Sequence, residues 1–194
     1  MNSARRAKRI AAVVIIGCTA LLSCRTNESP PPAVRTPAAT QSAAAKPVQL
    51  QTVDKAGYDA AIAKLGGKVV LVDFWATWCE PCVEQLPHTL ALGKKLGERG
   101  LAVVTVSCDE PTESDRIATF LTSKNAGGAT NLVSQFGGSP RTMEEFDIST
   151  GAVPFYKLYD RSGRLRQTFG IVPTATKQFT AADIEEAVDK LLAE

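Results

Sequence analysis

Histidine and cysteine, the residues from which metal centres and disulfide scaffolds are built, are scarce in this sequence. The 194 residues include one histidine, His88, and five cysteines, namely Cys18, Cys24, Cys79, Cys82 and Cys108. Two of the cysteines lie near the N-terminus, and the remaining three are too few for a disulfide scaffold. So few soft ligands also argue against a closed four-ligand zinc site. We therefore expect an ordinary apolar core, with no metal and no cofactor.

The body of the chain also lacks an excess of positive charge. The formal net charge is +2, but four basic residues and no acidic ones fall within residues 1–23. From Leu50 onward, 15 basic residues stand against 19 acidic ones. Nucleic-acid binding depends on a basic surface that neutralises phosphates. The charge distribution therefore argues against a nucleic-acid partner.

The N-terminal segment has the pattern of an export signal. Residues 1–9 are basic and residues 10–23 are apolar or small, which matches the n-region and h-region of a secretory signal. The apolar run is shorter than the roughly 20 residues that a membrane-spanning helix needs. It ends in the tetrapeptide LLSC at Cys24, which resembles the bacterial lipobox, where cleavage precedes a cysteine that then carries lipid. We expect a lipoprotein-type signal peptide over residues 1–23 and acylation of Cys24.

Alternatives to this anchor remain open. A second lipobox-like tetrapeptide ends at Cys18, although cleavage there would leave a short h-region and an apolar stub. Two further alternatives are an ordinary cleaved signal peptide and an uncleaved membrane anchor. Residues 24–49 are rich in Pro, Ala, Ser and Thr, so they bury too little apolar surface to fold. We expect a disordered tether that holds a folded domain, residues 50–194, clear of the membrane.

Apolar runs and amphipathic segments define the expected elements of the folded domain. Strands are predicted at 68–74, 101–107, 130–134, 155–159 and 165–169. Helices are predicted at 54–65, 80–97, 113–124, 141–146 and 181–192. Alternation of strands and helices in the first part predicts parallel βαβ units, and the last two strands form an antiparallel hairpin. The expected fold class is α/β, with a mixed central sheet and helices on both faces.

Cys79 and Cys82 form a C-x-x-C pair directly after the first strong strand. Such a pair is half of a zinc site in some proteins and a redox centre in others. Cys79 is expected at the strand-to-helix turn, where the free N–H groups and dipole of the helix stabilise a thiolate. The thiolate is the attacking form of cysteine, and Cys82 is placed one turn further on to break a mixed disulfide. The position therefore favours thiol–disulfide exchange.

The segment VDFWATWCEPC resembles the active-site segment of thioredoxins, and LVDFWATWCEPCVEQLP resembles that of TlpA/ResA-type secreted thioredoxin-like proteins. The resemblance covers about residues 50–194 and implies a thioredoxin-like fold and a thiol–disulfide oxidoreductase. It further implies that Cys79 is the nucleophile, Cys82 the resolving cysteine and Asp73 a buried acid that moves protons for Cys82. Burial would raise the pKa of Asp73 towards a useful range. The alternative is a strand-end carboxylate partly exposed to water.

The dipeptide Val153-Pro154 resembles the cis-proline loop of the same family. The resemblance implies that both residues lie beside the cysteines and that the Val153 backbone pairs with an extended substrate. The alternative is a trans-proline at the start of a strand. Trp78 is expected in the apolar docking surface, whereas Trp75 fits that surface or the core. Cys108 is expected to be a buried packing residue, with a third redox thiol as the alternative.

Two positions depart from the family pattern. Many members have Glu three residues after the second cysteine, but here that position is Gln85, with Glu84 one residue earlier. Glu80 lies beside Cys79, where a carboxylate raises the pKa of the thiol and makes the pair more reducing. Solvent would screen this effect if Glu80 is exposed.

The leading hypothesis is a membrane-anchored protein-disulfide reductase of the bacterial cell envelope, expected to be a monomer. Its partners would be exported proteins that contain disulfides and a membrane thiol protein that supplies electrons. A disulfide oxidase or isomerase would use the same residues. An alternative from another class is a tethered module whose C-x-x-C pair binds copper or zinc or acts as a chaperone. A peroxiredoxin fits less well, since Cys79 lacks the Pro and Thr that frame the cysteine of that family.

Overall fold

The computed structural model describes residues 47–194, in which six strands form one mixed sheet flanked by helices. The predicted signal peptide, both candidate acylation sites (Cys24 and Cys18) and the tether up to residue 46 lie outside the described residues. Residues 47–49 lead into the first strand without helix or strand of their own. Across 47–194, no helix combines the length and the apolar character needed to cross a membrane.

The strands run in the sheet in the order β1-β4-β3-β2-β5-β6. Their bounds are β1 Leu50–Val53, β2 Val69–Trp75, β3 Leu101–Ser107, β4 Thr130–Ser134, β5 Phe155–Tyr159 and β6 Leu165–Gly170. The first four strands of this order pair in parallel, and β2/β5 and β5/β6 pair antiparallel. The predicted mixed sheet, with its parallel half and C-terminal hairpin, is therefore confirmed.

Five α-helices connect and flank these strands, close to the predicted bounds. They are α1 Lys55–Ala63, α2 Glu80–Leu96, α3 Ser114–Ser123, α4 Pro140–Glu145 and α5 Ala181–Ala193. Local sequence explains their starts: the Asp54 side chain accepts from the Gly57 N–H at 2.9 Å before α1. Thr180 and Asp183 form a reciprocal capping box before α5, which satisfies backbone donors that no helical carbonyl can reach.

Strand β2 is the central element of the core, because all seven of its residues are buried. Its side chains alternate between two faces. Val70, Val72 and Phe74 pack with Tyr58 of α1 and with Phe146 after α4. The opposite face begins with Val69 and Leu71, which pack with residues of α2 and α5, including Leu92 and Val188. Helices thus cover both faces, as predicted.

Strand β1 was not predicted. Its sequence, LQTV, is short, and only Val53 is buried, so it lacks the apolar run that marks β2 and β3. Its strand conformation comes from pairing with β4, between Leu50 and Asn131 and onward to Val53 and Ser134. Local sequence patterns cannot predict pairing with a strand about 80 residues away in the chain.

The topology fixes where a site can form. Strand β5 runs antiparallel to β2, with Phe74 paired to Phe155 and Asp73 to Tyr156. The carboxyl end of β2 and the start of β5 therefore meet at the same edge of the sheet. Cys79 follows that end of β2, and Pro154 immediately precedes β5.

Candidate active site

Cys79 and Cys82 form a disulfide at the N-terminus of α2, with their Cα atoms 5.2 Å apart. Cys79 is the N-cap residue in extended conformation, and Cys82 lies in the first helical turn. The Cys79 carbonyl accepts from Val83 N–H at 3.0 Å, while its own N–H donates to the Ala76 carbonyl at 3.2 Å. The exposed fraction is 6% for Cys79 and 1% for Cys82. Cys79 is therefore the sulfur nearer to solvent.

The loop before β5 lies against this disulfide. The peptide bond between Val153 and Pro154 is cis, as the resemblance implied. The Val153 carbonyl oxygen is 3.6 Å from Cys79 Sγ, and the Val153 side chain packs on the cluster that contains both cysteines. Pro154 is buried and Val153 half-buried. The fold thus brings Cys79 and Cys82 together with Val153 and Pro154, which follow more than 70 positions later in the chain.

The two tryptophans have different environments. Trp78 is 58% exposed next to Cys79, and its ring lies so close to Gly138 that a Cβ atom there would be 3.2 Å from it. Trp75 is fully buried and stacks on Phe120, with ring centroids 5.2 Å apart. Trp75 is therefore part of the core, and Trp78 offers an apolar surface beside the disulfide.

Asp73 is buried in β2, with an exposed fraction of 1%. Strand alternation puts it on the face of Leu71 and Trp75, towards α2. Thr89 of α2 donates a hydrogen bond to Asp73 Oδ2 at 2.8 Å, and Oδ1 has no partner among residues 47–194. Burial raises the pKa of Asp73 to about 7, against the opposing effects of the Thr89 hydrogen bond and of the nearby Tyr156 hydroxyl. A carboxyl with this pKa exchanges its proton near neutral pH.

A cavity of about 180 Å³ lies between α2 and α5, and Thr89, the hydrogen-bond partner of Asp73, forms part of its wall. Its wall includes Thr89, Gln85 and Tyr156, and the Tyr156 hydroxyl donates to Gln85 Oε1 at 3.2 Å. Gln85 thus faces the surroundings of Asp73, whereas Glu84 is exposed. The carboxylate of Glu84 consequently does not replace the acid that many family members have at the position of Gln85.

Three other residues considered from the sequence do not contribute directly to this centre. Glu80 is exposed, so water screens its charge. Cys108 is fully buried among the residues that surround Cys79 and Cys82, and burial raises the pKa of its thiol to about 12. It therefore holds its proton and packs as a small apolar side chain. His88 is exposed on α2.

No group of three or more His, Cys, Asp or Glu side chains suited to a metal ion is found within residues 47–194. Cys79 and Cys82 pack in an apolar cluster with Trp75, Leu86 and Ile117. Polar groups nearby include Thr77, two residues before Cys79, and its partner Asp109. Thr89 donates to Asp73, and Thr77 donates to Asp109, which also accepts from Ser107 and Arg116. The arrangement suits exchange between sulfur atoms, in which the electrons pass directly from sulfur to sulfur.

Sequence reasoning missed Thr89 and Asp109. Thr89 looks like an ordinary residue of an amphipathic helix, and only the packing of α2 on β2 reveals its contact with Asp73. Asp109 follows β3 in an acidic stretch, Asp109–Asp115, that reads as a solvated loop. It is instead fully buried and accepts hydrogen bonds from Thr77, two residues before Cys79. The sequence did contain one signal for Asp109, namely an acidic residue close after the end of a buried strand.

Known proteins resemble this chain over most of its described part. The model of the AhpC/TSA family matches residues 42–186. Thiol-disulfide oxidoreductase ResA of Oceanobacillus iheyensis is 30% identical over 133 residues, which are 68% of this chain and 54% of that protein. The protein of the same name from Geobacillus kaustophilus is 25% identical over 144 residues, 71% of each chain. The chain spans about half the length of several curated relatives that it matches.

Solved structures share the fold. A thiol:disulfide interchange protein of the thioredoxin family from Chlorobium tepidum superposes with a TM-score of 0.50 at 22% identity, covering 67% of this chain and 83% of that one. The thioredoxin domain of a Bacteroides vulgatus thiol-disulfide oxidoreductase gives the same values. These likenesses confirm the thioredoxin-like fold, and the ResA relatives confirm the predicted resemblance. This chain belongs to the AhpC/TSA family, and within it the chain resembles the thiol-disulfide oxidoreductases named ResA.

Proposed function

We propose that this chain is a thiol–disulfide oxidoreductase that reduces disulfides in exported proteins through Cys79 and Cys82. The observation that carries the proposal is the disulfide between these residues at the start of α2, with the Val153 carbonyl 3.6 Å from Cys79 Sγ. The relatives named thiol-disulfide oxidoreductase support it. The greater exposure of Cys79 supports its role as the attacking sulfur.

In the proposed reaction the chain starts as a dithiol. The Cys79 thiolate attacks one sulfur of a substrate disulfide, which forms a mixed disulfide and releases the other substrate sulfur as a thiolate. The Cys82 thiolate then attacks Cys79 Sγ, which closes the Cys79–Cys82 disulfide and releases the second substrate thiolate. Two electrons have passed to the substrate, and a dithiol donor returns the chain to its starting state by the reverse exchange.

Asp73 has the properties that the second step requires. Cys82 must lose its proton before it can attack, and the buried site contains few groups able to accept one. Asp73 lies on the α2 face of β2 with a pKa of about 7, so it accepts a proton near neutral pH and later returns it. The cavity whose wall includes Thr89 is wide enough for water. We propose that the proton of Asp73 reaches solvent through the hydrogen bond with Thr89.

Location and partners are part of the same proposal. A lipoprotein-type signal, acylation of Cys24 and the tether would hold the domain at the outer side of a bacterial membrane, where disulfides form. The electron donor would then be a membrane thiol protein, and the substrates would be exported proteins. Labelling with a radioactive fatty acid tests the anchor: Cys24→Ser should abolish the label and Cys18→Ser should retain it. The opposite result would assign the anchor to Cys18.

Reduction of insulin tests the activity. Metal-free protein should accelerate the reduction of insulin by dithiothreitol, and Cys79→Ser should abolish the acceleration. Cys108→Ser is the matched control, because it removes a buried thiol of high pKa and should leave the rate unchanged. Equal activity of the Cys79→Ser variant would contradict the proposal and favour a metal-binding or chaperone module.

The direction of electron flow needs a second measurement. An equilibrium titration of the Cys79–Cys82 pair against glutathione gives its reduction potential. A reductase should lie well below the strong oxidants, whose potentials are near −120 mV. A value as high as that would favour an oxidase built from the same residues.

A further inference from the structure

Asp109 is a buried carboxylate that the proposed reaction does not use. It follows β3 and has no exposed surface. Its Oδ2 accepts from the Thr77 backbone N–H at 3.0 Å and from the Ser107 hydroxyl at 2.6 Å. Its Oδ1 accepts from the Thr77 hydroxyl at 2.5 Å and from Arg116 Nη2 at 3.0 Å. Every contact is a donor, which matches the acceptor-only, ionised form of the carboxyl group.

These hydrogen bonds hold the turn that precedes Cys79. Thr77 lies between the end of β2 and Cys79, and the Cys79 N–H donates to the carbonyl of Ala76 in the same turn. The Cys108 N–H donates to the Trp75 carbonyl at 2.7 Å, which joins the ends of β2 and β3. Asp109 therefore holds Thr77 in place by accepting from both its backbone N–H and its side-chain hydroxyl.

The charge of this carboxylate is only partly compensated. Its counter-charge, Arg116 of α3, is 52% exposed and is shared with Glu113, whose Oε2 is 2.9 Å from the same nitrogen. Buried charges are screened less than exposed ones. A negative charge beneath the turn opposes a second negative charge on Cys79. Glu80, next to Cys79, is exposed, so water screens its charge. Asp109 is fully buried, so its charge acts on Cys79 with less screening.

We propose that Asp109 is a positioning residue that holds the turn before Cys79 and, by its charge, keeps the Cys79–Cys82 pair reducing, while Arg116 limits the effect. The proposal rests on the proposed redox function of the pair. A less stable Cys79 thiolate disfavours the reduced state, so that the chain gives up electrons more readily. Asp109 and Arg116 should consequently shift the redox equilibrium in opposite directions.

The test is an equilibrium titration of the pair against glutathione at pH 7 in three variants. Asp109→Asn removes the charge at nearly constant shape and should lower the equilibrium constant for disulfide formation by about three- to tenfold; tenfold corresponds to about 30 mV. Arg116→Gln removes the counter-charge and should raise the constant. Asp115→Asn, an exposed acid on the same helix, is the matched control and should leave it unchanged. The pH dependence of Cys79 alkylation should move with the constant.

A purely structural role predicts a different pattern. Both Asp109→Asn and Arg116→Gln would then lower the thermal midpoint of unfolding. Their equilibrium constants for disulfide formation would change by less than twofold, or both would change in the same direction. Either result would overturn the proposal. If Asp109→Asn does not fold, Arg116→Gln decides by its sign alone, because the side chain is half exposed. Failure of the native chain to reduce insulin would overturn the proposed function, whereas the titration still reports on Asp109.

Discussion

Thr89 donates to Asp73 a hydrogen bond, 2.8 Å long, that links α2 to the central strand β2. The donor comes from the same helix that carries Cys82, so a single hydrogen bond joins the helix of the second cysteine to the strand that carries Asp73. The other oxygen of Asp73 has no partner within residues 47–194. This half-satisfied carboxyl is the source of the first prediction.

Replacing Asp73 with Asn should change how stability depends on pH. The folded-state pKa of Asp73, about 7, lies above its unfolded value of about 3.9. The stability associated with its proton is therefore fully present below pH 4 and is lost as the pH rises through 7. Asp73→Asn carries no such loss, so its free energy of unfolding relative to the native chain should rise between pH 4.5 and 8.5, by at most about 4 kcal/mol.

Urea unfolding of the oxidised proteins at both pH values measures this difference. A relative stability that is the same at pH 4.5 and pH 8.5 would mean that Asp73 is ionised throughout. Activity gives an independent readout, since Asp73→Asn should slow release of the mixed disulfide above pH 7 and leave the first attack by Cys79 unaffected.

The three thiols of the described domain should react at very different rates when the chain is reduced. Cys79 is the most exposed and lies at the helix N-terminus, whereas Cys82 and Cys108 are almost completely buried. Iodoacetamide at pH 8 should modify Cys79 first, with Cys108 at least about 100-fold slower because its pKa is about 12. Peptide mass spectrometry after timed quenching identifies the order. Faster modification of Cys82 would reverse the proposed roles.

Trp78 should matter for protein substrates but not for small ones. It is the most exposed large apolar side chain of the described part and lies next to Cys79. Trp78→Ala should lower kcat/KM for insulin about five- to tenfold, as for an interface residue worth about 1 kcal/mol or more. Turnover of a small aromatic disulfide should change less than twofold. Leu165→Ala is the matched control, because Leu165 is 47% exposed on β6, and an equal loss there would exclude a specific docking role.

Gln85→Glu should introduce a second acid beside Asp73. Tyr156 already donates to Oε1 of Gln85, so the new carboxyl would occupy the same position and repel the Asp73 carboxylate. The pH at which the resolving step reaches half its maximal rate should rise, and the two acids should titrate as a coupled pair. Stopped-flow measurement of that step across pH 5–9 tests this. Glu84→Gln, on the exposed neighbour, should leave the profile unchanged.

The sequence predicted the strands that are apolar throughout. The run from Val69 to Trp75 and that from Leu101 to Ser107 are buried along nearly their whole length, so composition alone identifies them. Strand β1 has a polar sequence and exists because β4 pairs with it. Local patterns therefore defined the centre of the sheet and missed one edge, where long-range pairing outweighs propensity.

The same distinction applies to the site. Cys79, Cys82 and Pro154 belong to short motifs, so their positions followed from resemblance. Thr89 and Asp109 belong to no motif, and each acquires its contact only when α2 or the end of β3 packs on β2. Buried polar partners of this kind depend on tertiary geometry, which a linear pattern does not contain.

The antiparallel register of β2 and β5 has a consequence for how the chain tolerates changes in length. One residue advances a strand by about 3.3 Å, a step comparable with the 3.6 Å between Cys79 Sγ and the Val153 carbonyl. An insertion within β5 would therefore disturb the contact between Cys79 Sγ and the Val153 carbonyl and turn the side chains on one side of it to the other face. At the opposite end of the sheet, residues 161–164 form an exposed hairpin turn that lies far from this pairing. At that end the Arg161 carbonyl accepts from the Gly67 N–H and Asp160 accepts from Ser162 and Arg164. A change of length there would disturb the turn itself, whereas a change in β5 would disturb the contact between Val153 and Cys79.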